Sequence, residues 1–549
     1  MNTETAYNLA LDTLYSFVDY SLKHASELAK ADFSLDRMFA LMDALGNPQN
    51  AYPIIHVAGT KGKGSTSALC ASALMAAGYK VGLYTSPHLE DYCERIQING
   101  QPISHAQMTE LVDEIKPAVA KIPKLTTFEI TTAIGFLAFA KQTVDAAVIE
   151  VGLGGRLDAT NVVTPRVSVV TSLSMDHTAV LGDTLAKIAG EKAGIIKVGV
   201  PVVSAPQKGE ALEVLLRVAR ERRASVTLVG REVSFELLNS SLDGQSVIIH
   251  PAALSGVTSR ARNEVEGQVP EITLAPETRP STAGVPSAQD GGNMKISAQD
   301  GGTLNPAALS GVTSEARNEV EGQVPETTLA PETRPSTAGV PSAQDGGDLK
   351  SSAQDGGDLK SSAQDGDLLI TIPLLGSHQL TNAATAYAAL KASGISISDE
   401  SIQKGFSQVK WPARFEIARR EPPVIFDSAH NDDSFAKLRE TLETYFPGRQ
   451  VTLIFGASED KNIPGMFREL KPKIRKLIVT RADHPRALEV EKIQGLADRL
   501  EVPNEAATPV RAALARALEL SAIDGSIVLS AGSMFVTAEV MAAWKKYYR

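Results

Sequence analysis

The sequence predicts an α/β protein of two domains, each built around a mostly parallel sheet, with a long repetitive insertion in the first. Three observations lead there. Short β-branched runs alternate with helical stretches both before and after the insertion, the pattern of parallel strands covered by helices. The 549 residues exceed what one core holds, since domains run about 100–200 residues. One internal segment repeats itself in a composition unable to form a core.

The first alternation places strands at Ile54–Ala58, Val81–Thr85, Ala146–Val151, Val167–Leu173 and Val200–Ser204, with helical stretches such as Ser65–Ala77 and Thr132–Lys141 between them. Residues 251–290 then recur at 306–345 with 38 of 40 positions identical, and a shorter SAQDGGDLKS unit continues to Gly366. Residues 251–366 contain no Phe, Trp or Tyr, so the segment cannot bury enough apolar surface to offset its ordering entropy, and a disordered insertion is expected. Beyond it, Ser377–Ala392 reads as a helix stopped by Ser393-Gly394. A second alternation follows Trp411-Pro412, with strands at Val424–Phe426, Val451–Phe455, Leu477–Thr480 and Ser526–Leu529. The domain boundary is expected near residue 415.

Composition narrows the function. Sixteen acids against eight bases make residues 251–366 strongly acidic and leave the rest with a net charge of only −2, so no cationic face for nucleic acid is expected. No apolar stretch approaches the roughly 20 residues of a membrane span, and no signal peptide is evident. Two cysteines, Cys70 and Cys93, fit a reducing compartment and predict a cytoplasmic protein.

Gly59, Ser86, Glu150 and His177 each fall at or just past the carboxyl end of a predicted strand, the edge where open α/β sheets bind ligands. His56–Thr66 (HVAGTKGKGST) lies between strand and helix. Its glycines let backbone N–H groups surround a phosphate, Lys63 supplies a full charge, and Ser65 or Thr66 a hydroxyl. The strict Walker spacing is not met, because Val57 and Gly64 occupy two of its required positions. This still predicts a P-loop-type ATPase domain, followed by a smaller Rossmann-like domain. Glu150, Asp176, His177 and Ser86 suit Mg²⁺, which prefers hard oxygen ligands and retains several waters. Singly, each is more often an ordinary hydrogen-bonded strand-end residue; their shared edge beside a phosphate loop reverses that weighting.

The stretches AGTKGKGST, YTSPHLEDYCERIQING, TTFEITTAI, IEVGLGGRLDATNVV, SLSMDHTAVLGDTLAKIAGEKAGIIK, LLGSHQLTNAATA, WPARFE, DSAHN and GASEDK run in order along both sides of the insertion. They resemble the dihydrofolate synthase/folylpolyglutamate synthase family of the Mur ligase superfamily. The resemblance implies residues 1–250 with 367–414 as the ATP-binding domain, 251–366 as the insertion and 415–549 as the glutamate-ligase domain. It implies ATP-driven ligation of L-glutamate to a pteroate or folate carboxylate through an acyl phosphate, with two Mg²⁺ ions and a monomeric enzyme.

By the same resemblance Gly62, Lys63, Gly64 and Ser65 cradle the triphosphate, and Ser86, Glu150 and His177 hold magnesium. Lys192 matches a lysine carried as a carbamate, an anion able to hold the second ion. Asn382, Arg414 and Asp427 resemble nucleotide contacts, with His430 facing the phosphates. Thr126, Thr127, Phe128 and Glu129, with Leu157, Asp158 and Ala159, resemble the pteroate pocket, although on pattern alone Phe128 is equally a core residue. Lys61 stands where many relatives have Asn, although Lys also occurs in the family; Ala413 and Asp432 replace the commoner Gly and Pro, which puts backbone geometry near Arg414 and His430 in question. Two competing readings are another Mur-type ligase and a catalytically silent folate- or ATP-binding protein. The first needs a nucleotide-binding domain ahead of the phosphate loop, where only 58 residues precede Gly59; the second is disfavoured because Lys63, Glu150 and Lys192 are all present.

Overall fold

The computed structural model describes residues 2–19, 34–251 and 366–548, so all but the ends of the expected disordered insertion lie outside the described residues. The first sheet comprises β1 (Ile54–Ala58), β2 (Val81–Tyr84), β3 (Ile96–Ile98), β4 (Gln101–Pro102), β5 (Ala146–Glu150), β6 (Val167–Val170), β7 (Val202–Ser204) and β8 (Val226–Leu228). Their order is β4-β3-β2-β5-β1-β6-β7-β8. Strands β2, β5, β1, β6, β7 and β8 are mutually parallel, and β3 and β4 extend one edge antiparallel.

Every residue of β1 and β5 is buried, as expected of central parallel strands covered on both faces, which is why they read as unbroken apolar runs. One face packs Leu69 and Leu74 of the helix Lys63–Ala76 with Val148, Leu390 and Phe406. The other packs Ile149 with Leu41, Met108, Phe136 and Phe139. Side chains of this size contribute about 1.5–3 kcal/mol each when fully buried.

The second-domain sheet comprises β12 (Glu416–Arg420), β13 (Pro423–Phe426), β14 (Val451–Phe455), β15 (Ile474–Val479), β16 (Asn504–Ala506) and β17 (Ile527–Ala531), in the order β12-β13-β17-β14-β15-β16. All its pairings are parallel except β12 with β13. Phe435, Phe455 and Phe467 fill one face, and Ile454, Leu514 and Trp544 the other.

Between these layers lies a small antiparallel sheet of β9 (Val233–Ser241), β10 (Gly244–Pro251) and β11 (Leu368–Ile372) that the sequence reading did not anticipate. Strand β9 is half exposed and joins β10 through a turn carrying Asp243-Gly244, a hairpin signal the sequence reading passed over, whereas β11 is separated from β10 by the repeats. Leu242 at the β9–β10 turn packs on the second-domain core, and Ser240 Oγ lies 2.5 Å from Tyr445 Oη. The helix expected from Thr132 starts at Thr127, because Thr126 and Glu129 form a capping box.

Ile249 pairs with Leu368, so the chain ends flanking the repeats face each other across one antiparallel ladder. Joining Pro251 to Gly366 by a four-residue turn is expected to leave the unfolding midpoint within a few degrees of the full chain. Circular dichroism melting checks this, and failure to fold contradicts the ladder.

Candidate active site

The turn leaving β1 is dictated by close approaches. Gly62 has φ +88° and caps the helix Lys63–Ala76; a Cβ there would strike the buried Asn382 amide. A Cβ on Gly64 would lie 2.7 Å from the Trp411 ring. Only glycine permits both, and each contact ties the loop to a later segment of the chain. The helix start presents backbone N–H groups without intrahelical acceptors, together with positive partial charge, an anion-binding arrangement. Ser65 is buried at this start, and the buried Thr66 Oγ1 has no hydrogen-bond partner among the described residues.

Glu150 ends β5 beside this loop. Its carboxylate lies 4.0 Å from Lys63 Nζ and accepts the Ser86 N–H at 3.4 Å. Burial raises its pKa, while Lys63, the Ser86 amide and Arg414 oppose the rise. A buried carboxylate so loosely compensated suits a bound cation. His177 adopts φ +49° at the start of the short helix Thr178–Leu181 and stays 40% exposed. Desolvation by the cleft walls pushes its pKa down to about 4, outweighing the nearby Asp176 carboxylate, with Lys461 and Lys63 adding to the fall.

Lys192 is 4% exposed, and its Nζ donates to the Gly59 carbonyl at 2.9 Å. Burial, followed by the Lys63 charge, lowers its pKa to about 7, so much of this amine is neutral near neutrality.

Two later segments stand beside this loop, the helix Ser377–Ala392 of the first domain and the start of the second domain. Asn382, on the helix Ser377–Ala392, donates to Gln379 at 2.9 Å. Arg414 bonds the Ala413 carbonyl at 2.9 Å and the Ser428 hydroxyl. Asp427 accepts the N–H groups of Phe415 (2.8 Å) and Ala429 (2.7 Å). His430 Nδ1 meets the Ser428 carbonyl at 2.8 Å, and burial with two nearby lysines drives its pKa to about 3. The questioned departures are accommodated. Ala413 takes φ +55°, the conformation a glycine would favour, and Asp432 accepts from Asn462 at 2.6 Å.

Two residues to which the sequence reading gave no role of this kind stand at the domain junction. Asp176 Oδ2 is 3.2 Å from Lys61 Nζ on the phosphate loop and accepts from Asn431 of the second domain at 3.2 Å. Lys461, in the GASEDK stretch, approaches its other oxygen at 3.8 Å. Burial alone would raise the Asp176 pKa, but Lys61, His177 and Lys461 hold it well below the usual carboxylate range. A run of small and acidic residues around Lys461 carries no pattern that foretells this pairing.

The segment implied for pteroate begins the helix Thr127–Lys141. Thr126 accepts from Glu129 N, and the Glu129 carboxylate, which accepts the Thr126 N–H, also pairs with Arg37 at 3.2 Å. Thr127 Oγ1 donates to the Leu14 carbonyl at 3.0 Å. Phe128 is half-buried, and a Cβ on Gly152 would lie 2.5 Å from its ring. Asp158 is buried and accepts from Leu153 N (2.8 Å) and Thr160 N (3.0 Å), flanked by the half-buried Leu157 and the buried Ala159. The structure thus uses Glu129 and Asp158 first as structural acceptors.

A phosphate loop at the edge of a parallel sheet, with a cavity of about 370 Å³ reaching from Lys61 and Gly62 past Asn382 to Lys437 of a second α/β domain, is the layout of a Mur-type ligase. The Mur ligase middle domain matches residues 57–232, and the Mur ligase glutamate ligase domain matches residues 413–534. The chain belongs to the dihydrofolate synthase/folylpolyglutamate synthase family, being 31% identical to the Bacillus subtilis protein of that name over 92% of this chain and 94% of the relative. The Mycobacterium tuberculosis protein of the same name is also 31% identical, over 87% of this chain and 80% of the relative. Among solved structures, Mycobacterium tuberculosis folylpolyglutamate synthase complexed with ADP aligns at TM-score 0.71 and 28% identity, over 100% of this chain and 99% of the other.

The lowered Lys192 pKa has a direct readout. In competitive labelling with an amine-directed reagent followed by mass spectrometry, Lys192 is expected to titrate near pH 7, where surface lysines titrate near about 10.4. Titration of Lys192 with the surface lysines contradicts its assigned environment.

Proposed function

We propose that the cleft uses ATP to join L-glutamate to a pteroate or folate carboxylate, consistent with the activity named for its relatives. The observation that carries this reading is the facing of the buried Glu150 carboxylate by Lys63 from the phosphate loop and Arg414 from the second domain, with Lys192 beside Lys63 at the Gly59 carbonyl.

The triphosphate lies along the turn at Gly62, Lys63, Gly64 and Ser65, where helix N–H groups and the Lys63 ammonium neutralise it. Asn382, Arg414 and Asp427 hold the nucleotide from the other side. A carboxylate oxygen of the folate attacks the γ-phosphorus, the bond to the bridging oxygen breaks, and ADP leaves with the electron pair. The neutral glutamate amine then adds to the acyl carbon, and the C–O bond to phosphate breaks. The departing phosphate, a base near neutrality, takes the amine proton. Excluding water during these steps protects the acyl phosphate from hydrolysis. His430, neutral at pH 7, offers orientation near the phosphates and no charge.

Ser86, Glu150 and His177 would hold Mg²⁺, which supplies charge neutralisation to the phosphoryl oxygens. Lys192 suits carbamate formation because CO₂ adds to a neutral amine, and its product is an anion able to hold a second ion. The Thr126–Glu129 and Leu157–Ala159 segments flank the place for the pterin, with Phe128 offering a ring face. The working form is a monomer, since one chain supplies the residues of both sides of the site, and its place is the cytoplasm, where two unpaired, buried cysteines stay reduced.

Lys63→Ala is expected to lower ADP release at least 100-fold while leaving the melting curve unchanged, with dihydropteroate and tetrahydrofolate each supplied alongside glutamate. Near-normal turnover by a folded variant contradicts the phosphate role of Lys63. No release from the wild-type chain with either acceptor contradicts the substrate class.

A further inference from the structure

Away from the cleft, three side chains of different chemistry converge between the N-terminal helix Thr3–Tyr15 and the loop that follows β2. A carboxylate oxygen of Asp91, the thiol of Cys93 and a ring nitrogen of His105 all lie within 4.8 Å of one another. Asp91 caps the 3₁₀ turn Tyr92–Arg95 that contains Cys93, and His105 opens the helix His105–Val119, so separate elements bring them together.

The imidazole is held in a defined pose. Its Nδ1 pairs with Glu4 at 2.8 Å, and its Nε2 faces Asp91 Oδ2 at 2.7 Å. The Tyr7 ring stacks on it with centroids 3.7 Å apart and planes within 4°, and the Tyr7 hydroxyl reaches Asp91 Oδ1 at 3.1 Å. Cys93 is 1% exposed, whereas the side chains of His105 and Asp91 are 28% and 38% exposed, so one side of the group opens to solvent.

We propose that Asp91, Cys93 and His105 form a binding site for a borderline-soft divalent cation of the zinc class, with Glu4 orienting His105 and water completing the coordination. Thiolate and imidazole donors favour such ions over Mg²⁺, whose hard-oxygen preference suits the Glu150 region instead. A carboxylate on the second nitrogen of a ligating histidine is the usual outer support of such sites, and Glu4 occupies that place. Tetrahedral zinc with N, O and S ligands needs donor atoms about 3.3–3.8 Å apart, so side-chain adjustments of about 1 Å close the set. On binding, the thiol and the Asp91-facing nitrogen each release a proton to solvent.

Such an ion fastens the loop carrying Ser86 to the start of the helix His105–Val119, and the N-terminal helix is held to the pair through Glu4 and Tyr7. The same helix and the residues after it accept the Thr127 hydroxyl at Leu14 and the Thr127 N–H at Val18, so the staple supports the start of the Thr127–Lys141 helix. The proposal does not depend on the ligase reading, because the metal alone is the probe.

Titration of the full chain, metal-free and without nucleotide, with Co²⁺ is expected to give a thiolate-to-metal charge-transfer band that saturates at one equivalent. Cys93→Ser is expected to abolish the band, and His105→Asn to weaken binding at least tenfold. Glu4→Gln retains all three ligands and is expected to keep the band with several-fold weaker affinity, and its exposed position guards against loss of fold. Excess Mg²⁺ with ATP is expected to leave the band in place. Absence of the band in the wild-type chain, or an equal band in Cys93→Ser, overturns the site.

Discussion

A carboxylate at the sealed end of a parallel strand stays ionised only while positive charge faces it, and Glu150 sets that condition for the whole cleft. Burial works against its charge, and relief comes from Lys63 on the phosphate loop, the Ser86 amide after β2 and Arg414 from the second domain. These groups come from distant parts of the chain, so the fold must bring three elements to one point. In a low-dielectric cleft such electrostatic terms are worth far more than at the surface, and no reorganisation is required when a polyanion arrives.

The junction between the domains follows the same logic. Asp176 gathers Lys61, Lys461 and Asn431, joining the phosphate loop to two segments of the second domain. Apolar contacts reinforce it. Leu89, just after Ser86, packs on the core that contains Phe426 and Trp544, and the neighbouring Glu90 pairs with Lys545 at 2.6 Å. Movement of the second domain therefore acts on the phosphate loop and on the loop carrying Ser86 together.

Much of this was legible in the residues because buried parallel strands and glycine-rich turns leave strong local marks. The strands at Ile54–Ala58 and Val451–Phe455 coincide with those read from the sequence, as does the helix Ser377–Ala392. What stayed hidden depends on partners far along the chain. Strand β11 finds β10 across the repeats, and Lys461 meets Asp176 across 285 positions. The Thr126–Glu129 capping box is readable in the residues, and it starts the helix at Thr127, five residues before the stretch expected from Thr132. The left-handed backbone of Ala413 is marked only by the glycine commoner in relatives, since nothing local requires a buried alanine to take φ +55°.

The most direct measurement is a crystal structure of the full chain with a non-hydrolysable ATP analogue and Mn²⁺, with the metal located by its anomalous signal. The account predicts the triphosphate against the Lys63–Ser65 helix start and a manganese peak in coordinating reach of Glu150. A nucleotide bound elsewhere, with no metal at Glu150, would contradict it.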